Sequence, residues 1–185
     1  MQMVPFTVRS CAIPGLTVLQ TRQAADERGT VREFFRASAM TDAGLHAGPW
    51  QQINVTRTSP GALRGLHGEA MTKLIGVVSG AALGAYVDLR VDSPVRGRVV
   101  TVSLTPGVQV LVPPGVCNGY QAVGPEPIEY LYAFDREWVP GIGGVAVHAL
   151  DPALGIEWPV LIDPADRSKL SAKDAGLPLL ADALG

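Results

Sequence analysis

Of the three histidines in this 185-residue chain, His46, His67 and His148, His67 has the setting that invites chemistry. It closes the segment Leu63-Arg64-Gly65-Leu66-His67, and an imidazole titrating near neutrality is the natural base for a carbon acid. A lone histidine is nevertheless more often structural than catalytic. The usual metal site of a β-barrel needs two histidines close together, a carboxylate and a distant third histidine. His67 is followed by Gly68-Glu69 with no histidine nearby, and the other two show no ligand spacing. No metal and no cofactor are expected. Taken one at a time, Lys73 reads as a solvated charge at a strand start and Tyr132 as a core aromatic. Asp174 likewise reads as a carboxylate in a helical turn, and Trp138 as a hydrophobic lid residue.

Such groups can act together only if a scaffold gathers them, and the sequence predicts an all-β one. Short apolar alternations mark strands at Leu16–Thr21, Val31–Phe35, Gln51–Arg57, Lys73–Val78 and Ala81–Arg90. Further strands are expected at Arg98–Leu104, Val108–Val112, Tyr120–Val123 and Ile128–Phe134. Turn formers separate them, among them Ser59-Pro60-Gly61, Pro106-Gly107 and Pro113-Pro114-Gly115. Many short strands at this spacing predict a sandwich or barrel. Arg36–Ala47 reads as a short helix, and Ser171–Leu184 as a helical or irregular cap. Strand period puts Gln52, Asn54 and Thr56 on one face, Tyr130, Tyr132 and Phe134 on another, and Leu63, Gly65 and His67 on a third. Polar groups on the inner face of a barrel need partners, which points to a bound ligand.

Composition narrows the classes. Hydrophobic residues make up 47% and charged residues 17%, enough apolar material for a packed core. Twenty-one glycines and fifteen prolines fit a turn-rich β protein. The length predicts one domain over residues 1–185, with 160–185 as a C-terminal cap. A formal charge of −2 with scattered Lys and Arg argues against nucleic acid and against an anionic membrane surface. Two cysteines, Cys11 and Cys117, do not require a disulfide framework. The N-terminus lacks a signal-peptide pattern and no apolar run reaches spanning length, so a cytoplasmic location is expected.

Read in order, the blocks resemble one family. They are Asp26-Glu27-Arg28-Gly29, Arg32-Glu33-Phe34, Gln52-Ile53-Asn54, Leu63-Arg64-Gly65-Leu66-His67 and Lys73-Leu74. Val87-Asp88-Leu89-Arg90, Asp92-Ser93-Pro94, Val112-Pro113-Pro114-Gly115 and Tyr130-Leu131-Tyr132 follow. The last are Asp151-Pro152, Leu154-Gly155-Ile156-Glu157-Trp158-Pro159 and Leu170-Ser171-Ala172-Lys173-Asp174-Ala175. Their number and order resemble the dTDP-4-dehydrorhamnose 3,5-epimerase family, metal-independent cupins. The resemblance implies a cupin fold, a double-stranded β-helix or jelly-roll barrel with short peripheral helices. It also implies epimerisation of a nucleotide-linked 4-keto-6-deoxy sugar at C3, C5 or both. In that pattern His67 is the base and Asp174 its carboxylate partner. Lys73 is the cation near the C4 oxygen, where the ketone acidifies the neighbouring C–H bonds, and Tyr132 is the phenol that returns a proton. Gln52, Asn54 and Arg64 line the nucleotide-sugar cleft, and Trp138 is an aromatic that stacks on the base. Arg28 and Glu33 contact the nucleotide from a neighbouring subunit, so a homodimer is expected.

Three departures from the family pattern stand out. The loop after His67 is short, Gly68-Glu69-Ala70-Met71-Thr72. Asn118 occupies the place of a second histidine, and Gly84 that of an aspartate that lies beside it in the family. Asn118 can hydrogen-bond a sugar hydroxyl or keto oxygen but cannot titrate. The expectation is therefore narrowed chemistry, with a dTDP-linked sugar first and a GDP-linked 4-keto heptose second. Competing readings are a non-catalytic nucleotide-sugar-binding cupin, a metal cupin and a ketoisomerase on the same sugars.

Overall fold

Alternating side chains give each strand two faces, and in the computed structural model, which describes residues 1–185, the central strands have both faces covered. The strands are β1 (Gln2–Val4), β2 (Thr7–Ser10), β3 (Thr17–Gln20), β4 (Gln23–Asp26), β5 (Gly29–Arg32), β6 (Gln52–Thr58) and β7 (Leu63–Glu69). They continue with β8 (Lys73–Ser79), β9 (Ala81–Asp88), β10 (Val99–Leu104), β11 (Val108–Val112), β12 (Val116–Val123), β13 (Ile128–Phe134) and β14 (Gly144–Ala146). Three short helices are peripheral: α1 (Ala37–Asp42), α2 (Ala172–Ala175) and α3 (Leu180–Leu184). This is the all-β architecture the turn spacing predicts.

Two antiparallel sheets face each other, one ordered β2-β3-β11-β8-β13-β6 and the other β10-β9-β12-β7-β14. A third, ordered β1-β4-β5, stands at one side. Between the two large sheets lies a core of Ile75, Val77, Val110, Val112 and Tyr130 from one, and Tyr86, Val102, Leu104, Val116 and Tyr120 from the other. The outward residues of the same strands are buried too. Leu63, Leu66, Ala85, Val87, Leu89 and Cys117 pack under Val147, Ala149, Leu154, Ile162 and Leu170, so the C-terminal segment covers that sheet. Leu19, Leu74, Leu111 and Ala133 pack under Met40 of α1. Asp151 ties the cap down by accepting from the backbone N–H groups of Ala153 (2.9 Å) and Leu180 (2.6 Å).

Several boundaries differ from expectation. The strand expected at Val31–Phe35 is β5, ending at Arg32, and that expected at Tyr120–Val123 begins at Val116 because Cys117, Asn118 and Gly119 also pair with β9. The helix expected to Ala47 stops at Asp42; Gly44 then takes a left-handed φ of 70°. Strands β1, β2, β4 and β14 carry too few buried residues to show a pattern.

The face expected for Leu63, Gly65 and His67 is corrected. Asn118 lies opposite His67 but Tyr120 lies opposite Arg64, so β7 carries one more residue than β12 across this stretch. That bulge breaks the period of two. Arg64 and His67 both reach the cavity between the sheets, while Leu63 and Leu66 turn to the outer cluster. Gly65 permits it: its φ is 107°, and a Cβ there would meet Gly119 Cα at 2.7 Å and the Asn118 carbonyl oxygen at 2.8 Å.

Candidate active site

The bulge matters because it aims two of the expected site residues into one cavity of about 260 Å³. Its wall on one sheet is Arg64, His67 and Glu69 of β7 with Asn118 and Tyr120 of β12. The facing sheet supplies Gln52 and Asn54 of β6, Lys73 of β8, and Tyr132 and Phe134 of β13. Trp138, 46% exposed, stands at the rim. The expected inward faces of Gln52 and Asn54, and of Tyr132 and Phe134, are therefore both observed. Ile53 and Val55 face outward, 60% and 59% exposed.

His67 Nε2 lies 2.7 Å from Asp174 Oδ1. The carboxylate comes from α2, whose N-cap Ser171 accepts from the Asp174 backbone N–H (3.0 Å). The pairing of Asp174 with His67 ties the cap to β7, the strand that carries the histidine. Burial works to raise the Asp174 carboxyl, but the bonds and charge from His67 outweigh it and hold the group below its usual range.

Lys73 is almost enclosed, and its ammonium donates to Glu69 Oε2, to Asn118 Oδ1 at 2.6 Å and to the His67 carbonyl at 3.3 Å. Three protons meet three acceptors. Burial works to raise the Glu69 carboxyl, yet the Lys73 charge and hydrogen bond hold it below its usual range. Asn118 thus faces the cavity but is already engaged with Lys73. Near the other departure, Gly84, the Tyr86 hydroxyl lies 2.8 Å from where a Cβ would sit, so a tyrosine two residues on occupies that space.

On the opposite wall, Gln52 Oε1 accepts from the Trp138 backbone N–H (2.7 Å) and Gln52 Nε2 donates to Asn54 Oδ1 (3.1 Å). Burial pushes the Tyr132 phenol well up, keeping it protonated at neutral pH. Arg64 Nε donates to Thr58 Oγ1 (3.1 Å), leaving its terminal nitrogens free of hydrogen bonds within the chain. Beside it a second cavity of about 340 Å³ shares Arg64, His67 and Tyr132 and is lined by Arg57, Arg167 and Lys169.

Nine of the eleven expected site residues gather here: His67, Asp174, Lys73, Tyr132, Gln52, Asn54, Arg64, Asn118 and Trp138. The other two do not. Arg28 sits at the β4–β5 turn, its side chain 90% exposed and paired with Asp26, and Glu33 pairs with Arg36. Sequence reasoning missed Glu69 and Tyr120 as cavity residues, and it placed Phe134 on the right face without naming it for the site. The loop expected after His67 begins only after Glu69, because β7 runs through it, and the two-residue spacing of Glu69 from His67 is the available signal. No three histidine, cysteine or carboxylate side chains are grouped to hold a metal ion.

The fold has counterparts among solved structures. The fold is similar to NovW, a 4-keto-6-deoxy sugar epimerase from the novobiocin biosynthetic gene cluster of Streptomyces spheroides. The TM-score is 0.87, with 27% identity, covering 98% of this chain and 91% of that one. It is also similar to ChmJ of Streptomyces bikiniensis, a 3′-monoepimerase solved with dTDP-quinovose, at a TM-score of 0.83 and 31% identity over 94% and 87% of the two chains. Fold and relatives together define an isomerase built on a cupin barrel. The family model for dTDP-4-dehydrorhamnose 3,5-epimerase matches residues 10–182, and the chain belongs to that family. Relatives include the dTDP-4-dehydrorhamnose 3,5-epimerase of Salmonella typhimurium, 34% identical over 94% of each chain. A dTDP-4-dehydro-6-deoxyglucose 3-epimerase of a Streptomyces species is also 34% identical, over 86% of this chain and 81% of that one.

Proposed function

We propose that this protein epimerises a dTDP-linked 4-keto-6-deoxy sugar next to its ketone, with His67 as base and Tyr132 as acid. The observation that carries the reading is that His67 and Tyr132 project from facing sheets into one cavity that also holds Lys73. A sugar ring lying between the sheets would meet a base on one face and an acid on the other. With its Nε2–H given to Asp174, His67 keeps a lone pair on Nδ1 and takes the proton from carbon. Charge moves to the C4 oxygen, which accepts from Lys73 in place of one present acceptor. Tyr132 then delivers a proton to the opposite face, inverting the carbon.

Arg64 offers its free guanidinium nitrogens to the diphosphate, a bidentate match in shape and charge. Gln52 and Asn54 hold the sugar-nucleotide from the neighbouring wall, and Trp138 stacks on the base. Arg28 and Glu33 reach the nucleotide of a partner subunit in a homodimer. The exposed Ile53 and Val55 on β6, an edge strand, support a second copy covering this side.

Asn118 supports reaction at a single carbon, because the wall near Lys73 offers no second imidazole. The test is incubation with dTDP-4-keto-6-deoxyglucose in deuterated water, following the C3 and C5 protons by NMR. Exchange at one carbon identifies a mono-epimerase and its carbon; exchange at both identifies a 3,5-epimerase. No exchange there, with exchange on a GDP-linked 4-keto heptose, would move the substrate assignment. Silence on both sugars would overturn the catalytic reading in favour of a binding protein.

A further inference from the structure

Glu69 stands in the cavity beside the proposed base, and the mechanism above gives it no contact with the sugar. It lies two residues beyond His67 on β7, and its side chain is 23% exposed. One carboxylate oxygen, Oε2, accepts from the Lys73 ammonium. The other, Oε1, has no hydrogen-bond partner on any other residue. Burial works to raise the carboxyl, but Lys73 holds it below its usual range, so at neutral pH Oε1 can accept a hydrogen bond and cannot donate one.

We infer that Glu69 selects the sugar by accepting a hydrogen bond from the hydroxyl on C3, the carbon beside the ketone; this rests on the epimerase reading above. The Lys73 ammonium bonds Glu69, Asn118 and the His67 carbonyl, and the bond to the carbonyl is the longest at 3.3 Å. An incoming C4 oxygen therefore replaces the carbonyl and leaves the bond to Glu69 in place. The C4 oxygen and the Glu69 carboxylate then share one ammonium and lie side by side. Substituents on adjacent sugar carbons are close neighbours, so the group next to the C4 oxygen comes within reach of Oε1. Of the two carbons flanking C4, C3 carries a hydroxyl and C5 a methyl. The hydroxyl can donate to the carboxylate, whereas a methyl would strip water from a charge and return nothing. Cation and carboxylate thus read the ketone and its neighbouring hydroxyl as one unit.

Binding of an unreactive ligand isolates this contact from the chemistry. dTDP-quinovose has a hydroxyl at C4, which still accepts from Lys73, and keeps the hydroxyl at C3; its 3-deoxy analogue lacks the latter. By calorimetry, the unaltered protein should bind the 3-deoxy analogue about 10–100-fold more weakly. Glu69→Ala should bind the two ligands alike. Glu69→Gln still accepts from Lys73 but offers the sugar no charge, and should keep only part of the preference. dTDP alone should bind all three proteins equally, which shows that the variants are folded and their nucleotide site intact. Should Glu69→Ala fail to fold, Glu69→Gln decides, and a full preference there overturns the inference. If Glu69→Ala weakens both ligands by the same factor, or the unaltered protein does not distinguish them, the inference is overturned while the epimerase reading stands. An unaltered protein that does not bind dTDP-quinovose would overturn the dTDP-sugar assignment and this inference with it.

Discussion

Asp174 shows how one side chain can serve both stability and the proposed chemistry. Its folded-state carboxyl titrates below the unfolded value, since His67 and Ser171 favour the charged form over the cost of burial. A depressed acid contributes stability above its unfolded pKa and loses it as pH falls through the folded one. Asp174→Asn should therefore melt lower than the parent at pH 7, and the gap should close as the pH drops below about 4. The same variant should lose about 10²–10⁴-fold in kcat, because the amide no longer fixes the lone pair of His67. Denaturation across pH and the exchange assay check the two halves separately, and a gap that stayed constant with pH would remove the ionic contact. The sequence made His67, Lys73, Tyr132 and Asp174 legible only through the order of its blocks, because Asp174 lies 107 residues from His67. Glu69 and Tyr120 are harder to read because their partners, Lys73 for one and Thr58 for the other, arrive on different strands. Asp88 teaches the reverse. Its conspicuous block with Arg90 is a buried clasp, with Arg90 Nε at 2.9 Å and Ser93 Oγ at 2.7 Å, well outside the cavity.

At the scale of the element, β7 decides the site. Strands with buried faces, such as β8, β11 and β13, announced themselves by period, and their boundaries fell within a residue or two of expectation. The bulge in β7 did not, since a period-two reading assumes an unbroken register. Short, exposed strands such as β2 and β5 give no alternation to read. Gly65 is the residue through which the bulge can be tested. Gly65→Ala places a methyl against backbone atoms at 2.7 and 2.8 Å, and backbone cannot swing aside as a flexible side chain can. A cost of about 1–3 kcal/mol is expected, or roughly 2–12 °C in Tm for a chain of this size. Because Asn118 and Gly119 are the atoms pushed, the opposition of Asn118 to His67 should shift and catalysis fall with stability. A variant that melted like the parent and kept full activity would show that the strand has another way to accommodate the extra residue.

At the scale of the whole molecule, two residues expected to contact the nucleotide stand apart from the cavity. Arg28 projects from the turn of the small β1-β4-β5 sheet, and Glu33 follows that sheet directly. Neither lines the cavity of its own chain. Strand β6 is an edge whose outer face carries Ile53 and Val55 while its inner face carries Gln52 and Asn54. If a second copy covers that edge, its small sheet can bring Arg28 and Glu33 to the nucleotide end of this cavity. Val55→Glu should then give a monomer by light scattering and lose activity with every cavity residue intact. Complementation makes the stronger test. Arg28→Ala and His67→Ala should each be poorly active alone, the first through binding and the second through chemistry. In a mixed dimer, the site with an intact His67 also faces an intact Arg28 from the other chain. Unfolding and refolding the two together should restore roughly a quarter of parental activity, since about half the dimers are mixed and each has one whole site. Arg28→Ala protein that is fully active alone, or a mixture that stays as weak as its parts, would return both residues to the surface of a self-sufficient subunit.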